Sequence, residues 1–284
     1  MSIATFIPQI WSARLLEHLR KNLVVANLFN RNYEGEIQQM GDTVHINQLA
    51  EIAVKSYTKN VDIADPDQLS TAKQSLVIDQ GDYFNFYLND VDRAQARANL
   101  MDSAMQSASY GLADNLDQYL AGLLAGGTLV DGLGTDADPL YVNAETAYEL
   151  VVKMKVALDK ANVPTQGRYL LMPPDFEGMM LLDTRFAGGM GTRNEERLVN
   201  GLVARAAGFD IYISNNVVNT DGQKYKVCAS TIDQATYANQ ILNTEAYRRE
   251  KGFDDGVKGL HVYGAKVLRP EAVAVATVNF GSST

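Results

Sequence analysis

Residues 90–127 read DVDRAQARANLMDSAMQSASYGLADNLDQYLAGLLAGG, the longest helical signal in the chain. Asn89 or Asp90 stands where an N-cap accepts the first free N–H groups, and Gly126-Gly127 supplies the stop. Roughly 35 residues at about 1.5 Å each would make a rod of about 50 Å. Met101, Met105, Leu112, Leu116, Tyr119 and Leu123 supply bulk, while Ala, Ser and Gly on one side permit close approach of a strand layer. The apolar positions keep no strict heptad, which separates this rod from a coiled-coil strand.

Upstream, Pro8 to Asn30 places Ile10, Trp11, Leu15, Leu19, Leu23 and Val24 along one helical stripe, with Arg14, Arg20, Lys21 and Arg31 set against Glu17. A basic amphipathic segment can lie on a membrane; on an acidic protein it reads better as an arm docked on an acidic neighbour. Asp42 to Asn47 and Asp82 to Leu88 both alternate polar with apolar and read as paired strands. Between them lies a polar tip with Pro66 and several Asp, so Tyr33 to Asn89 reads as a long hairpin-like excursion. So little apolar surface cannot offset the entropy of ordering that chain unless something else packs against it.

Downstream, Asn143 caps a second helix whose Ala147, Leu150, Val151, Met154, Leu158 and Ala161 share one face and which stops before Pro164. Strands are predicted at Tyr169–Met172, Phe209–Ser214 and Tyr225–Ser230, a short helix at Asp175–Leu182, and a helical reading for Ile232–Ile241. Two β-rich runs, Leu260–Leu268 and Ala272–Val278, close an α+β unit without internal repeats.

The chain has 284 residues, 46% of them hydrophobic, and a formal charge of −9, so it can bury a large core and lacks the clustered cations of a nucleic-acid groove. No run approaches a membrane span and no basic leader precedes an apolar segment, which reads as a soluble, unsecreted protein. Its one cysteine, Cys228, sits in an apolar strand and reads as a buried thiol.

Chemistry-bearing motifs are incomplete. The stretch FAGGMGTRNEERLVNGL, 186–202, has threonine but no lysine after its last clustered glycine, and no final glycine for a dinucleotide fingerprint. His18, His45 and His261 fall in three different elements, without metal-ligand spacing. The acidic turn Asp131–Asp138 lacks the spaced oxygens and distal Glu of a calcium loop. Asp254-Asp255 and Glu195-Glu196 read as solvated charge. No catalytic residue, cofactor or metal is therefore assigned.

An arm and a hairpin that cannot bury themselves point to packing on copies of the same chain. Their order, followed by the spine helix and a mixed body, resembles the major capsid protein of tailed double-stranded DNA bacteriophages. The phrases IPQIWSARLLEHLRKNLV, YEGEIQQMGDTVHIN, VDRAQARANLMDSAMQSASYGLADNLDQYLAGL, GLVARAAGFDIYISNNV and GLHVYGAKVLRPEAVAVATV carry that resemblance over nearly the whole chain. It implies an α+β capsid fold divided as an N-terminal arm 1–32, an extended β-hairpin E-loop 33–89, and a P-domain with the spine helix 90–143. An axial A-domain 144–241 and strands returning to the P-domain, 242–284, complete it. It also implies self-assembly into pentamers and hexamers around double-stranded DNA, in the virion and, during assembly, the host cytoplasm. The implied partners are other copies of itself, a portal protein and non-specifically contacted DNA.

Some relatives carry an N-terminal scaffolding segment or an inserted body domain; this chain reads as having neither, which suggests a separate scaffolding protein. One branch cross-links subunits through Lys and Asn; Lys55, Lys59 and Lys73 lie in the E-loop, but no partner is identifiable. The alternatives are a bacterial nanocompartment shell and a soluble nucleotide-binding enzyme using Gly188–Thr192 with Asp254 or Asp255. On the capsid reading the glycines of Ala187–Arg193 serve as a mobile contact near a symmetry axis.

Overall fold

The computed structural model describes residues 23–33, 41–49, 54, 56, 57, 59, 62, 71–89, 100–182, 202–248 and 254–280. Its centre is a seven-stranded sheet whose middle strands are apolar on both faces, the pattern expected where a sheet is covered twice. The sheet runs β4 (Leu140–Tyr141), β12 (Ala274–Asn279), β9 (Lys224–Thr231), β5 (Arg168–Met172), β7 (Phe209–Ile213), β6 (Leu202–Ala206), with β8 (Asn219–Thr220) alongside β9. β5 is buried at all its positions, pairing parallel with β7 and antiparallel with β9.

Alternate residues of these strands feed two cores. Leu170, Met172, Val227, Ala229, Ala274, Ala276 and Val278 join Leu150, Val151, Met154 and Leu158 of α2 (Ala147–Lys160) and Phe176 and Met180 of α3 (Pro174–Leu182). Tyr169, Leu171, Cys228 and Val275 join the spine helix, α1 (Leu100–Leu124), through Leu112, Leu116, Leu120 and Leu124. The layers are helix, sheet, helix.

α1 ends as its glycines predict: Gly126 and Gly127 donate N–H bonds to Leu123 and Leu124 carbonyls. Gly127 is also required for packing, because a Cβ there would lie 2.6 Å from the Val273 carbonyl oxygen. The expected cap Asn89 is instead the last residue of a strand, and Asp90 lies outside the described residues. Before α2, Asn143 Oδ1 accepts the N–H groups of Glu145 and Thr146, at 2.9 and 3.0 Å.

The second sheet corrects the expected strand pairing. β1 (Thr43–Leu49) pairs with β2 (Thr71–Val77), from Thr43 opposite Val77 to Leu49 opposite Thr71. β3 (Gln80–Asn89) belongs instead to an antiparallel ribbon with β11 (Asp254–Val267) and β10 (Ala235–Arg248). The polar Lys73, Gln74 and Ser75 disguise β2 as part of the loop tip, yet Leu76 is fully buried and the Gln74 amide donates to the Leu268 carbonyl at 3.0 Å.

The helical reading of Ile232–Ile241 is also corrected: only Ile232–Gln234 turns, as a short 3-10 segment, and β10 starts at Ala235 and runs through Ile241. A helix there would strip β11 of its ladder from Val267 to His261, so non-local pairing overrides the local pattern. At about 3.4 Å per residue, each of these two strands spans about 45 Å. Val44, Ile46, Leu76 and Ile78 of the β1–β2 hairpin pack on Ala238 and Val262 of the ribbon.

Candidate assembly surfaces

The structure separates the residues that sequence reading had weighed for chemistry. His45 is exposed on β1, its Nδ1 3.4 Å from Ser75 Oγ, whereas His261 is fully buried in β11. His18, Glu195, Glu196 and the glycine-rich stretch up to Gly201 lie outside the described residues, as do Lys55 and the surroundings of the Lys73 side chain. Cys228 is buried, and burial pushes its thiol up to about 12, which leaves no thiolate nucleophile near neutral pH. Asp254 is buried at the start of β11, while Asp255 pairs with Arg248 at 3.3 Å. In the Asp131–Asp138 turn, Gly132 and Gly134 adopt positive φ around the buried Leu133, and Asp136 pairs with Lys226 at 3.1 Å. Among the described residues no three His, Cys, Asp or Glu converge as a metal site.

What the fold does build is surface. On the ribbon, one face carries Phe84, Phe86 and Val257 into the core shared with α1. The other face presents Tyr83 and Tyr87, 78% and 59% exposed, beside Leu260. Three strands hold that face in place: the Tyr247 hydroxyl donates to Asn85 Oδ1 at 2.7 Å, and Lys258 meets Glu245 at 2.8 Å. Glycines on β11 admit the rings, with Phe84 over Gly259 and Tyr247 over Gly256, so a Cβ at either position would collide with an aromatic side chain. A 320 Å³ hollow lined by Tyr83, Asn85, Glu245, Lys258 and Leu260 opens on this face.

Further apolar side chains face outward. Beyond β1, Val54 is almost wholly exposed and Tyr57 about three-quarters exposed. Val152 and Val156 on α2 line a 790 Å³ groove with the Thr128–Leu133 segment. Leu181 and Leu182 end α3 in the open. Clusters of this kind on a chain with so large a core mark contact surfaces rather than packing errors.

Two buried polar groups fix how the projecting parts leave the body. Asp117 on α1 is 2% exposed and accepts N–H bonds from Val24, Val25 and Ala26 at 2.8, 3.2 and 3.1 Å, clamping the 3-10 turn Val25–Leu28 to the spine. Burial raises its carboxyl above the ordinary carboxylate range, the three donors pull against that rise, and Asp114 adds to it. At the ribbon, the Tyr263 hydroxyl donates to Asp82 Oδ2 at 2.9 Å while its ring meets Tyr119 of α1 edge-on at 5.4 Å.

Sequence reading missed Asp117, because an acid inside a long polar-looking helix carries no local mark of burial. The aromatic face had a signal that went unused: Tyr83-Phe84-Asn85-Phe86-Tyr87 places aromatics on both sides of one strand, which a strand needs only if both sides are to be covered.

Comparison with known proteins bears on these surfaces. The phage capsid protein family matches residues 71–276, well over half of the chain. A solved structure from Mycobacterium phage Che8 is 28% identical, with a TM-score of 0.70 over 89% of this chain and 90% of that one. The capsid structure of cyanophage P-SCSP1u shares the fold at 15% identity and a TM-score of 0.63, over 86% and 85% of the two chains. A virus-like particle from Pyrococcus furiosus shares it at 13% and 0.52, over 95% and 99%. No match was found among curated proteins. The family match and the likeness to the phage structure agree: the chain belongs to the phage capsid protein family, as a structural major capsid subunit that forms the shell of the virion.

Proposed function

We propose that copies of this chain assemble as pentamers and hexamers into an icosahedral shell enclosing double-stranded DNA. On this reading residues 1–32 are the N-terminal arm, 33–89 the E-loop, 90–143 the P-domain with the spine helix, 144–241 the axial A-domain, and 242–284 strands returning to the P-domain. The observation that carries it is the tyrosine face of the ribbon: Tyr83 and Tyr87 stand on a paired strand yet are 78% and 59% exposed. Covering rings exposed to this extent is worth about 2 kcal/mol each, before the cost of association. Repeated over every subunit, such contacts add up to a cooperative shell.

A formal charge of −9 suits a lining that touches packaged DNA non-specifically and weakly. A separate scaffolding protein, a portal protein and assembly in the host cytoplasm complete the proposal; no catalytic role or cofactor belongs to it.

The test is negative-stain microscopy and sedimentation of the purified protein, alone and with a scaffolding partner. Uniform shells or ring capsomers are expected from the parent chain. The double variant Tyr83→Ser/Tyr87→Ser should keep its circular dichroism and lose regular assembly. Shells of parental yield from that variant would remove the ribbon face from the assembly contacts, and a small oligomer that saturably binds nucleotide would overturn the whole reading. Particles filled with protein rather than DNA would favour the nanocompartment alternative.

A further inference from the structure

His261 sits in the middle of β11 with none of its surface exposed, opposite Asp82 of β3 on one side and Ile241 of β10 on the other. Its Nε2 lies 3.4 Å from the amide nitrogen of Asn239, so Asn239 donates and Nε2 accepts. That arrangement puts the ring proton on Nδ1, which has no hydrogen-bond partner among the described residues. The nearby carboxylate, Asp82, is already engaged by the Tyr263 hydroxyl, and the Tyr263 ring lies tilted against the His261 ring, at 5.2 Å, and edge-on to Tyr119 of the spine helix.

We infer that this seam is an acid-sensitive latch: a proton on His261 loosens the hold of β3, the strand that leads out of the β1–β2 hairpin, on β11 and the spine helix. Protonation makes Nε2 a donor facing the donor group of Asn239, and sets a new charge beside the Asp82 carboxylate that already accepts from Tyr263. A turn of that carboxylate towards the ring disturbs the tyrosine pair that ties the ribbon to α1.

The charge acting on the ring is Asp82 from β3, and Tyr263 of β11 lies against the ring; Asp79 from the turn before β3 and Tyr119 from α1 act in turn on Tyr263, and β10 contributes the uncharged Asn239. Burial holds the imidazole down to about 4, with Asp82 pulling the other way. The sign follows. Above about pH 6.5 folded and unfolded chains are both neutral here and stability is whole; as pH falls from there towards 4, only the unfolded or opened chain takes up the proton, and stability is lost.

Two measurements on the full-length chain test the latch. Hydrogen exchange, corrected for intrinsic rates, should show the opening equilibrium of β3 and β11 peptides rising by up to about tenfold per pH unit below about pH 6.5, the slope of one linked proton. His261→Gln should flatten that slope. NMR of labelled histidine side chains should find one imidazole titrating at least about one unit below the ordinary value of about 6.5. A parental slope in the variant overturns the proposal, as does a set of histidines that all titrate near the ordinary value. Should His261→Gln fail to fold, the titration in the parent chain decides alone.

Discussion

Replacing Asp117 with alanine removes one side chain and strands three backbone donors 91 to 93 residues away in sequence. Val25 and Ala26 are fully buried, so their N–H groups find no ready substitute, while the N–H of half-buried Val24 is within reach of water. An orphaned buried donor costs about 1–3 kcal/mol. Taking about 1.5 kcal/mol for each buried donor and about 1 for Val24, then returning about 1 for a carboxylate no longer desolvated, the loss is about 3 kcal/mol. For a chain of this size that corresponds to a fall in Tm of about 6 °C.

Thermal unfolding measures the total, and hydrogen exchange locates it: protection should drop at Val24–Ala26 before it drops in α1. Asp114→Ala is the control. Its carboxylate accepts bonds from the Asn216 and Gln118 side chains, at 2.8 and 2.9 Å, and these can turn to solvent, so the loss should stay near about 1 kcal/mol. Equal effects of the two variants, or unchanged protection at Val24–Ala26 in Asp117→Ala, would refute the clamp.

Gly264→Ala should cost about 3 kcal/mol in urea unfolding, because the added Cβ would lie 2.2 Å from the Val77 carbonyl oxygen and 2.9 Å from Ile78 Cα, both backbone atoms that move only if the hairpin shifts. Gly122→Ala, in open space on α1, should instead stabilise by up to about 1 kcal/mol; if the two changes are alike, crowding is the wrong account. Arg168→Met should lower stability by about 3 kcal/mol, read as Tm, since the 3% exposed guanidinium binds the Val163 and Pro164 carbonyls at 2.6 and 2.8 Å and Asp159 at 2.7 Å, joining the end of α2 to β5.

Helices were the most legible part of the fold. The spacing of Leu150, Val151, Met154 and Leu158 states a buried face outright, and all four are buried. Strands β5, β9 and β12 were legible as apolar runs, because a strand covered on both sides must be apolar on both. Partner choice was not. Asp42–Asn47 reads equally well against Asp82–Leu88 and against Thr71–Val77, since alternation specifies a face and leaves the neighbour open. Ile232–Ile241 failed for a related reason, its strand being held by β11 rather than by its own propensity.

Sequence by itself determined most of the kinds of element, Ile232–Ile241 apart, together with the long spine, the want of a complete catalytic motif, and a resemblance that the family match sustains. These follow from local periodicity and from motifs whose chemistry needs fixed spacing. Only the tertiary structure decided which strands meet, that Asp117 is a clamp and not a surface acid, that His261 is buried beside Asp82, and that Tyr83 and Tyr87 share one open face. Those properties arise where segments 90 to 200 residues apart come together, and desolvation there changes the meaning of a residue whose neighbours in sequence stay the same.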